Sequence, residues 1–230
     1  MSLVKGLELQ KTGITKLDQI IGGIPRGSRN VLVDPPGSGK TVFSMQFLWE
    51  GLKAGETVSF DTIDRPWTHM RCYFRSFDWD IEPYEKDGKF IPIQAWPHFD
   101  EHDRDPHVMY FALSDFEEMK KIDTTLTEKG VSRFAAGDTL EHMFTDLSEE
   151  DWQLIEHWTI NWCHHDDITN IDTMSEVQYR DPITNRMKDF SFYTAHNILR
   201  LRSRTIDKKP RREMQFEKME GVAHPLEWLP

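Results

Sequence analysis

The sequence predicts an α/β protein built on a mostly parallel central β-sheet with helices on both faces. Short apolar or alternating runs suited to strands are separated along the chain by longer segments with helical periodicity. One of these transitions places a glycine-rich loop between a predicted strand and a predicted helix. Near the C terminus, two adjacent strand-like segments predict a β-hairpin instead.

Length and charge limit the classes of protein to which this chain can belong. Its 230 residues are consistent with one α/β domain over residues 1–230. The 39 acidic side chains outnumber the 28 lysines and arginines by 11, which argues against a generally basic surface for duplex DNA. Cys72 and Cys163 are too few for a disulfide framework, and we find no signal peptide and no long apolar run. We therefore expect a soluble, cytoplasmic protein without a membrane partner.

The elements of the first half follow from periodicity and turn residues. An amphipathic segment that begins near Thr12 is ended by Gly22 and Gly23, and Pro25 then marks a turn. Apolar runs or period-two alternation predict strands at residues 31–33, 57–63 and 90–96. Apolar residues spaced three or four apart predict helices at residues 42–52 and 67–77. Residues 97–107 have the composition of an acidic, histidine-rich loop.

The second half continues the alternation before its character changes. Helices are predicted at residues 113–129 and 149–163, with strands within residues 131–140 and at residues 168–177. These two strands fit a buried parallel sheet poorly, because residues 134–137 and 170–174 are small or polar rather than branched and apolar. A C-terminal hairpin is predicted from residues 196–206 and 212–219, which are joined by a charged turn.

The glycine-rich loop carries the most specific motif in the chain. Residues 34–41 match the phosphate-binding pattern G-x-x-x-x-G-K-S/T except at the first position, where Asp34 replaces glycine. Its carboxylate is expected to weaken nucleotide binding through strain and charge repulsion. Backbone amides at a helix N-terminus favour phosphate, Lys40 should reach the β- and γ-phosphates, and the Thr41 hydroxyl should bind Mg²⁺. The predicted nucleotide-binding residues are Pro36, Gly37, Ser38, Gly39, Lys40, Thr41 and Val42.

Together with flanking segments, this loop resembles the KaiC-type ATPases of the RecA superfamily, a group that includes GvpD-like and RadA-like proteins. The resemblance extends over residues 12–14, 22–28, 43–48, 76–80 and 82–84, and more weakly over 175–177 and 218–221. It implies a RecA-like P-loop NTPase fold in which a mostly parallel central sheet has helices on both faces and a C-terminal β-hairpin. It also implies binding of ATP and Mg²⁺, and assembly into rings or filaments with the nucleotide between subunits.

The resemblance assigns roles to residues outside the loop. Asp138 matches the aspartate that holds magnesium through water, although an exposed turn aspartate is the alternative. Asp64 stands where the family has its general base, but it is shorter than glutamate and is followed by Arg65, and a strand-end aspartate is the alternative. Lys218 matches a lysine that reaches the γ-phosphate of a neighbouring subunit, or is a solvated strand lysine. Glu220 replaces the arginine expected two residues later.

These departures shape the functional hypotheses. The leading one is an ATP-binding protein with slow or conditional Mg²⁺-dependent hydrolysis that acts as a self-assembling regulator. Asp64 and Lys218 are its candidate catalytic residues, and Thr41 and Asp138 are its candidate metal ligands. One alternative is a P-loop scaffold without catalytic activity, because Asp34 and Glu220 oppose the chemistry. Another is a recombinase accessory protein that binds single-stranded DNA.

Two further groups of residues suggest less specific sites. A basic cluster lies in the predicted hairpin and comprises Arg200, Arg202, Arg204, Lys208, Lys209, Arg211 and Arg212. Its alternating arginines could contact nucleic-acid phosphates or the acidic surface of a neighbouring subunit, or could protect a strand edge from aggregation. Residues 98–107 and 163–167 contain metal-ligand types, but a solvated acidic loop and a helix C-terminus are the favoured interpretations.

Overall fold

The computed structural model describes residues 7–63, 65–95, 104–111, 116–137, 148–175, 181–206 and 208–230. The helices of this part are α1 (Thr15–Ile21), α2 (Lys40–Lys53), α3 (Trp67–Arg75), α4 (Glu82–Lys86), α5 (Phe116–Glu128), α6 (Glu149–Asp166) and α7 (Pro182–Thr194). The strands are β1 (Leu9–Gln10), β2 (Ile24–Pro25), β3 (Arg29–Asp34), β4 (Thr57–Thr62), β5 (Phe90–Ala95), β6 (Met109–Phe111), β7 (Val131–Gly137), β8 (Thr169–Ser175), β9 (Asn197–Ile206) and β10 (Lys209–Met219).

The central sheet has eight strands in the order β10-β9-β3-β8-β7-β4-β5-β6. Neighbouring strands from β9 to β6 are parallel, and β10 is antiparallel to β9. The short strands β1 and β2 form a separate antiparallel pair. The predicted α/β fold, with a mostly parallel sheet and a C-terminal hairpin, is therefore confirmed. Because β3 lies between β8 and β9, the loop that follows β3 leaves the sheet at an interior position of its carboxyl edge.

Strand β3 shows how both faces of the sheet are covered. Leu32 packs in the same apolar cluster as Phe47 of α2. Val31 and Val33 point to the other face and pack in a cluster with Trp152 of α6. All five side chains are essentially buried, and burial of each contributes on the order of 1.5–3 kcal/mol. This packing holds the end of β3, and hence the loop after it, in one position.

Ion pairs explain how two charged residues, Arg133 of β7 and Asp172 of β8, are accommodated in inner strands of the sheet. Arg29 in β3 is 1% exposed and forms ion pairs with Glu156 of α6 at 2.7 Å and with Asp172 of β8 at 3.0 Å. On the other face, Arg133 Nε of β7 lies 2.5 Å from Glu56 Oε2. Buried charges are tolerated when they are paired and hydrogen-bonded. Polar residues therefore occupy these strands without disrupting the sheet.

Helix α7 is the main element that the sequence analysis missed, and α4, β1, β2 and β6 are smaller ones. Its start nevertheless carries a recognisable signal. The Asp181 side chain accepts a hydrogen bond from the Thr184 backbone N–H at 2.8 Å, and Pro182 occupies the first turn. An aspartate N-cap followed by proline is a common helix start.

Several predicted boundaries differ from those of the structure. The helix predicted at residues 67–77 ends at Arg75, and the second hairpin strand begins at Lys209 rather than at residue 212. Residues 138–140 and 176–177, predicted as strand ends, lie outside the described residues, as does most of the predicted loop at residues 97–107. Among the helices of the described ranges, none is both long and apolar enough to span a membrane.

Candidate functional site

The glycine-rich loop connects the end of β3 to the start of α2, as its motif requires. Gly37 has φ 88° and Gly39 has φ 114°, both in the left-handed region that favours glycine. Gly39 is also the N-cap residue of α2, and no side chain caps the helix there. The N–H groups of the first helical turn have no intrahelical acceptor, and the helix dipole adds positive potential at this end. The loop therefore presents an anion-binding surface.

Lys40 lies within this surface rather than extending into solvent. Lys40 is 7% exposed, and its Nζ lies 3.2 Å from the Ser175 Oγ. Ser175 is the last residue of β8, and it pairs with Asp34, the last residue of β3. The sheet thus brings the ends of two strands together around the lysine ammonium group. Placement of a buried cation beside open amides suits a polyphosphate ligand.

Ser38 provides an independent indication of a missing polar partner. This residue is 2% exposed, and its Oγ has no hydrogen-bond partner among the described residues. A buried hydroxyl without a partner costs about 1–3 kcal/mol, so such atoms in native proteins usually contact a ligand or water. Thr41 and Val42 are partly exposed at the start of α2, while Pro36 and Gly37 are exposed. The predicted nucleotide-binding residues therefore form one continuous segment that is accessible from outside.

Arg212 of β10 reaches the same loop, which the sequence motif does not indicate. A Cβ atom placed on Gly39 would lie 3.7 Å from the Arg212 Cδ, Nε and Cζ atoms. The guanidinium therefore rests against the loop. Both residues line a cavity of about 270 Å³ whose other walls are mainly apolar side chains of α1, α2 and the hairpin, among them Leu17, Phe43 and Met214. In the sequence Arg212 is only one member of a basic cluster, because strand register decides which of these cations reaches the loop.

Two further arginines of the predicted basic cluster, Arg200 and Arg202, pair with glutamates of β10. Arg200 forms an ion pair with Glu217, and Arg202 Nε lies 2.6 Å from Glu213 Oε2. The Arg202 guanidinium also lies 3.8 Å from the ring centroid of Trp228. The two ion pairs join β9 to β10, and the ring contact joins β9 to the C-terminal segment, so all three stabilise the hairpin. Two arginines of the proposed basic face are thus already bound to carboxylates.

Lys218 lies away from the loop of its own chain. In the sheet it pairs with Ile198, and Ile198 pairs with Val31, three residues before the end of β3. Lys218 Nζ donates to the Ala195 carbonyl oxygen at 2.5 Å and lies 3.0 Å from Glu220 Oε1. The glutamate that replaces the expected arginine therefore pairs with the lysine that remains.

The two candidate carboxylates, Asp64 and Asp138, lie outside the described residues. The strands that precede them are described: Thr62 near the end of β4 pairs with Gly137 at the end of β7. Strands β3, β8, β7 and β4 are parallel neighbours, so β4 and β7 end at the same carboxyl edge of the sheet as β3, which leads into the glycine-rich loop. Arg65, which follows Asp64, lies 5.0 Å from the Tyr73 ring centroid. Within the described ranges, no three His, Cys, Asp or Glu side chains converge on a metal position.

Comparison with known proteins agrees with this geometry. A family profile described as "ATPase: KaiC" matches residues 10–230, which is nearly the whole chain. The chain belongs to the KaiC family of ATPases. The similarity to this family therefore extends well beyond the glycine-rich loop and includes the C-terminal hairpin.

Individual relatives of this KaiC-family chain are similar over different lengths. A UPF0273 protein of Pyrococcus horikoshii is 42% identical over 87 residues, which are 37% of this chain and 35% of that protein. The circadian clock protein KaiC3 of Synechocystis is 28% identical over 221 residues, which are 95% of this chain and 42% of KaiC3. The chain thus spans less than half the length of these curated relatives.

A solved structure supports the fold. The crystal structure of a KaiC-like protein from Pyrococcus horikoshii superposes with a TM-score of 0.75 and covers 96% of this chain and 93% of its own. Its sequence identity is 21%, so the likeness supports the fold alone. Family membership and fold together identify a KaiC-like protein of the RecA superfamily.

Proposed function

We propose that residues 1–230 form a single KaiC-like domain that binds ATP with Mg²⁺ at the glycine-rich loop and hydrolyses it slowly or conditionally. The observation that carries the proposal is the position of Lys40. Its ammonium group lies at the mouth of an uncapped helix N-terminus and contacts the end of the adjacent strand β8. This combination of open amides and a fixed cation is complementary to a nucleotide polyphosphate.

Each part of the loop would have a distinct task. The backbone N–H groups of residues 37–41 would donate hydrogen bonds to the phosphate oxygens, and the Ser38 hydroxyl would gain the partner that it lacks among the described residues. Lys40 would bind the β- and γ-phosphates as a point charge. Thr41 and Asp138 are the proposed ligands of Mg²⁺, which when bound neutralises the charge that develops on the phosphate oxygens. Asp64 would orient and deprotonate the attacking water.

Slow turnover is proposed because three departures from the family pattern concern the reacting phosphate. Asp34 adds a carboxylate to the loop, and Asp64 is shorter than the usual glutamate. Glu220 replaces an arginine and pairs with Lys218 at 3.0 Å. An arginine that stabilises the transition-state charge contributes roughly three to five powers of ten in rate, so its replacement by glutamate should limit hydrolysis. Assembly of copies would regulate turnover if Lys218 reaches the site of a neighbouring subunit.

The first test is calorimetric titration of the protein with ATP and Mg²⁺. We expect the wild type to bind, and Lys40→Ala to weaken binding by about a hundredfold because contacts to two charged phosphates are lost. Asp34→Gly is expected to strengthen binding. Absence of binding by the wild type, with binding restored in Asp34→Gly, would show that the natural loop has lost its ligand and would refute the proposal.

Arg212 should contribute to the same binding event. Its guanidinium lies against Gly39, so we expect it to contact the bound nucleotide next to the cavity. Arg212→Gln should weaken ATP binding by about ten- to a hundredfold, the range for one charge-assisted hydrogen bond. The neighbouring Arg211 is exposed and not among the cavity residues, so Arg211→Gln is the matched control and should bind as the wild type does. Equal affinities of the two variants would contradict this role.

A scaffold without catalytic activity is the second candidate, and the Lys218–Glu220 pair favours it. In that case the wild type would bind ATP, and its oligomeric state would depend on ATP, but phosphate release would stay at the background rate. Sedimentation velocity with and without nucleotide, combined with a phosphate-release assay, separates the two candidates.

A further inference from the structure

The hairpin of β9 and β10 extends beyond the rest of the sheet. In the described sheet, β3 pairs with β9 only from Asn197 to Arg200, so the outer part of the hairpin is a two-stranded antiparallel ribbon. The end of this ribbon, here called the hairpin tip, comprises residues 203–206 and 208–211, and all of these residues are exposed. At about 3.4 Å per residue, four residues of a strand extend about 13 Å. The hairpin tip is therefore a narrow projection from the body of the protein.

The hairpin tip is basic, although the chain as a whole has a net charge of −11. Residues 203–211 contain four lysines and arginines and a single acidic residue, Asp207, which lies outside the described residues. None of the four cations forms an ion pair with a described carboxylate; they are Arg204, Lys208, Lys209 and Arg211. Nearer the sheet, by contrast, Arg202 pairs with Glu213. Compensation of the positive charge by carboxylates of the hairpin therefore ends where the tip begins.

The β9–β10 register places cations of the tip on one face of the ribbon. Arg204 lies directly opposite Arg211, and the next pair on the same face is Ile206 with Lys209. Like charges that face each other across two strands destabilise a hairpin. Arg212 belongs to the other face, where it rests against Gly39, and is not part of this group. An external anion beside Arg204 and Arg211 would relieve their repulsion.

We propose that the hairpin tip binds double-stranded DNA by entering its major groove and contacting the phosphates. The major groove of B-form DNA is about 12 Å wide and about 8.5 Å deep, and it admits a two-stranded β-ribbon. Duplex DNA carries one negative charge per about 1.7 Å of its axis, a density that can neutralise closely spaced arginines. The acidic body excludes a generally basic surface, but a projecting tip lets the duplex bind away from that body.

The composition of the tip favours this partner over two others. Residues 203–211 contain no aromatic side chain, and single strands are usually held by stacking of their bases on aromatic rings. A protein partner generally needs aromatic or apolar anchors at the centre of the contact. Ile206, which is 41% exposed, is the one large apolar side chain of the tip. Contacts of the tip should therefore be mainly with phosphates and depend little on base sequence.

The test is fluorescence anisotropy of a labelled DNA duplex of mixed sequence, titrated with the protein at several salt concentrations. Four phosphate contacts predict a slope of log K against log salt of about −3.6, so affinity should fall roughly fiftyfold between about 50 and 150 mM salt. The double variant Arg204→Gln with Arg211→Gln should lower affinity about tenfold and reduce the slope to about −1.8. Lys86→Gln with Lys129→Gln removes the same charge from exposed positions elsewhere and is the matched control.

Several results would overturn this inference, and none of them bears on the ATP binding proposed above, because the titration needs no nucleotide. They are absence of duplex binding by the wild type at low salt, equal loss of affinity in the two double variants, and tighter binding of the corresponding single strand. Salt-sensitive self-association that the tip variant abolishes, without duplex binding, would assign the tip to a second copy of the chain instead. Arg204→Lys with Arg211→Lys keeps both charges and should retain the wild-type slope. Loss of binding in this conservative variant would also contradict a role based on charge.

Discussion

Replacement of Arg29 by methionine is expected to lower the free energy of unfolding by about 3–5 kcal/mol, which is the usual cost when one partner of a buried ion pair is removed. Arg29 Nη1 lies 2.7 Å from Glu156 Oε2, and its Nε lies 3.0 Å from Asp172 Oδ2. Burial raises the pKa of the Glu156 and Asp172 carboxyl groups, whereas the positive charge of Arg29 acts to lower it. Without the guanidinium, two carboxyl groups remain in the interior with no cation beside them. Urea denaturation followed by circular dichroism measures the change.

A matched control and a compensated variant sharpen this test. Arg26 also bridges to another element, through Asp167, but Asp167 is exposed. Arg26→Met should therefore cost less than about 1 kcal/mol, as exposed ion pairs generally do. Combining Arg29→Met with Glu156→Gln and Asp172→Asn should recover part of the loss, because no unpaired carboxylate is then buried. A loss below 1 kcal/mol for Arg29→Met alone would show that the network contributes little to stability.

The second large effect is pH-dependent and concerns Asp123 of α5. Burial raises the pKa of Asp123 to about 7, and the hydrogen bond from Trp158 Nε1 at 2.7 Å opposes this increase only in part. The folded state therefore keeps the carboxyl protonated at pH values where the unfolded chain has already ionised. The stability associated with this group is complete below about pH 4 and is lost as the pH rises to about 7. The total loss is up to about 4 kcal/mol at 1.36 kcal/mol per pKa unit.

Asp123→Asn should remove this dependence while its amide oxygen still accepts the hydrogen bond from Trp158. We expect the stability of the variant relative to the wild type to increase by about 2 kcal/mol between pH 5.5 and pH 8.5, with the increase nearly complete at about pH 8. Denaturant titrations at four pH values measure it. Asp189→Asn, which changes an exposed aspartate of α7, is the control and should show no such trend. A difference between variant and wild type that is independent of pH would contradict the assignment.

These stability effects bear on the site because the buried network holds β3. Arg29 is the first residue of the strand whose last residue, Asp34, begins the glycine-rich loop. Asp172 lies in β8, three residues before Ser175, which contacts both Lys40 and Lys188. Loss of the network should loosen the β3–β8 pairing on which the positions of these lysines depend. Variants of Arg29 should therefore bind nucleotide more weakly even under conditions where they remain folded.

Elements that depend on neighbours along the chain are predictable from the sequence alone. The β3–loop–α2 unit was predicted because apolar runs, glycine positions and helical spacing are local properties. The hairpin and most other strands and helices were predicted for the same reason, and the family resemblance is confirmed. Strand β8 was predicted despite its polar residues. The ion-pair partner that allows Asp172 to be buried there is Arg29, which lies far away in the sequence.

The side chains that surround the loop come from distant parts of the chain and are brought together by the tertiary fold. Arg212 rests on Gly39, and Lys188 meets Lys40 at Ser175, through strand register and helix packing that the sequence pattern does not encode. Arg200 and Arg202 looked like members of one basic surface, yet the β9–β10 register joins them to glutamates. The physical reason is that local hydrogen bonding specifies elements, whereas long-range packing specifies their neighbours. The loop motif thus identifies a phosphate site, and the fold determines which charges surround it.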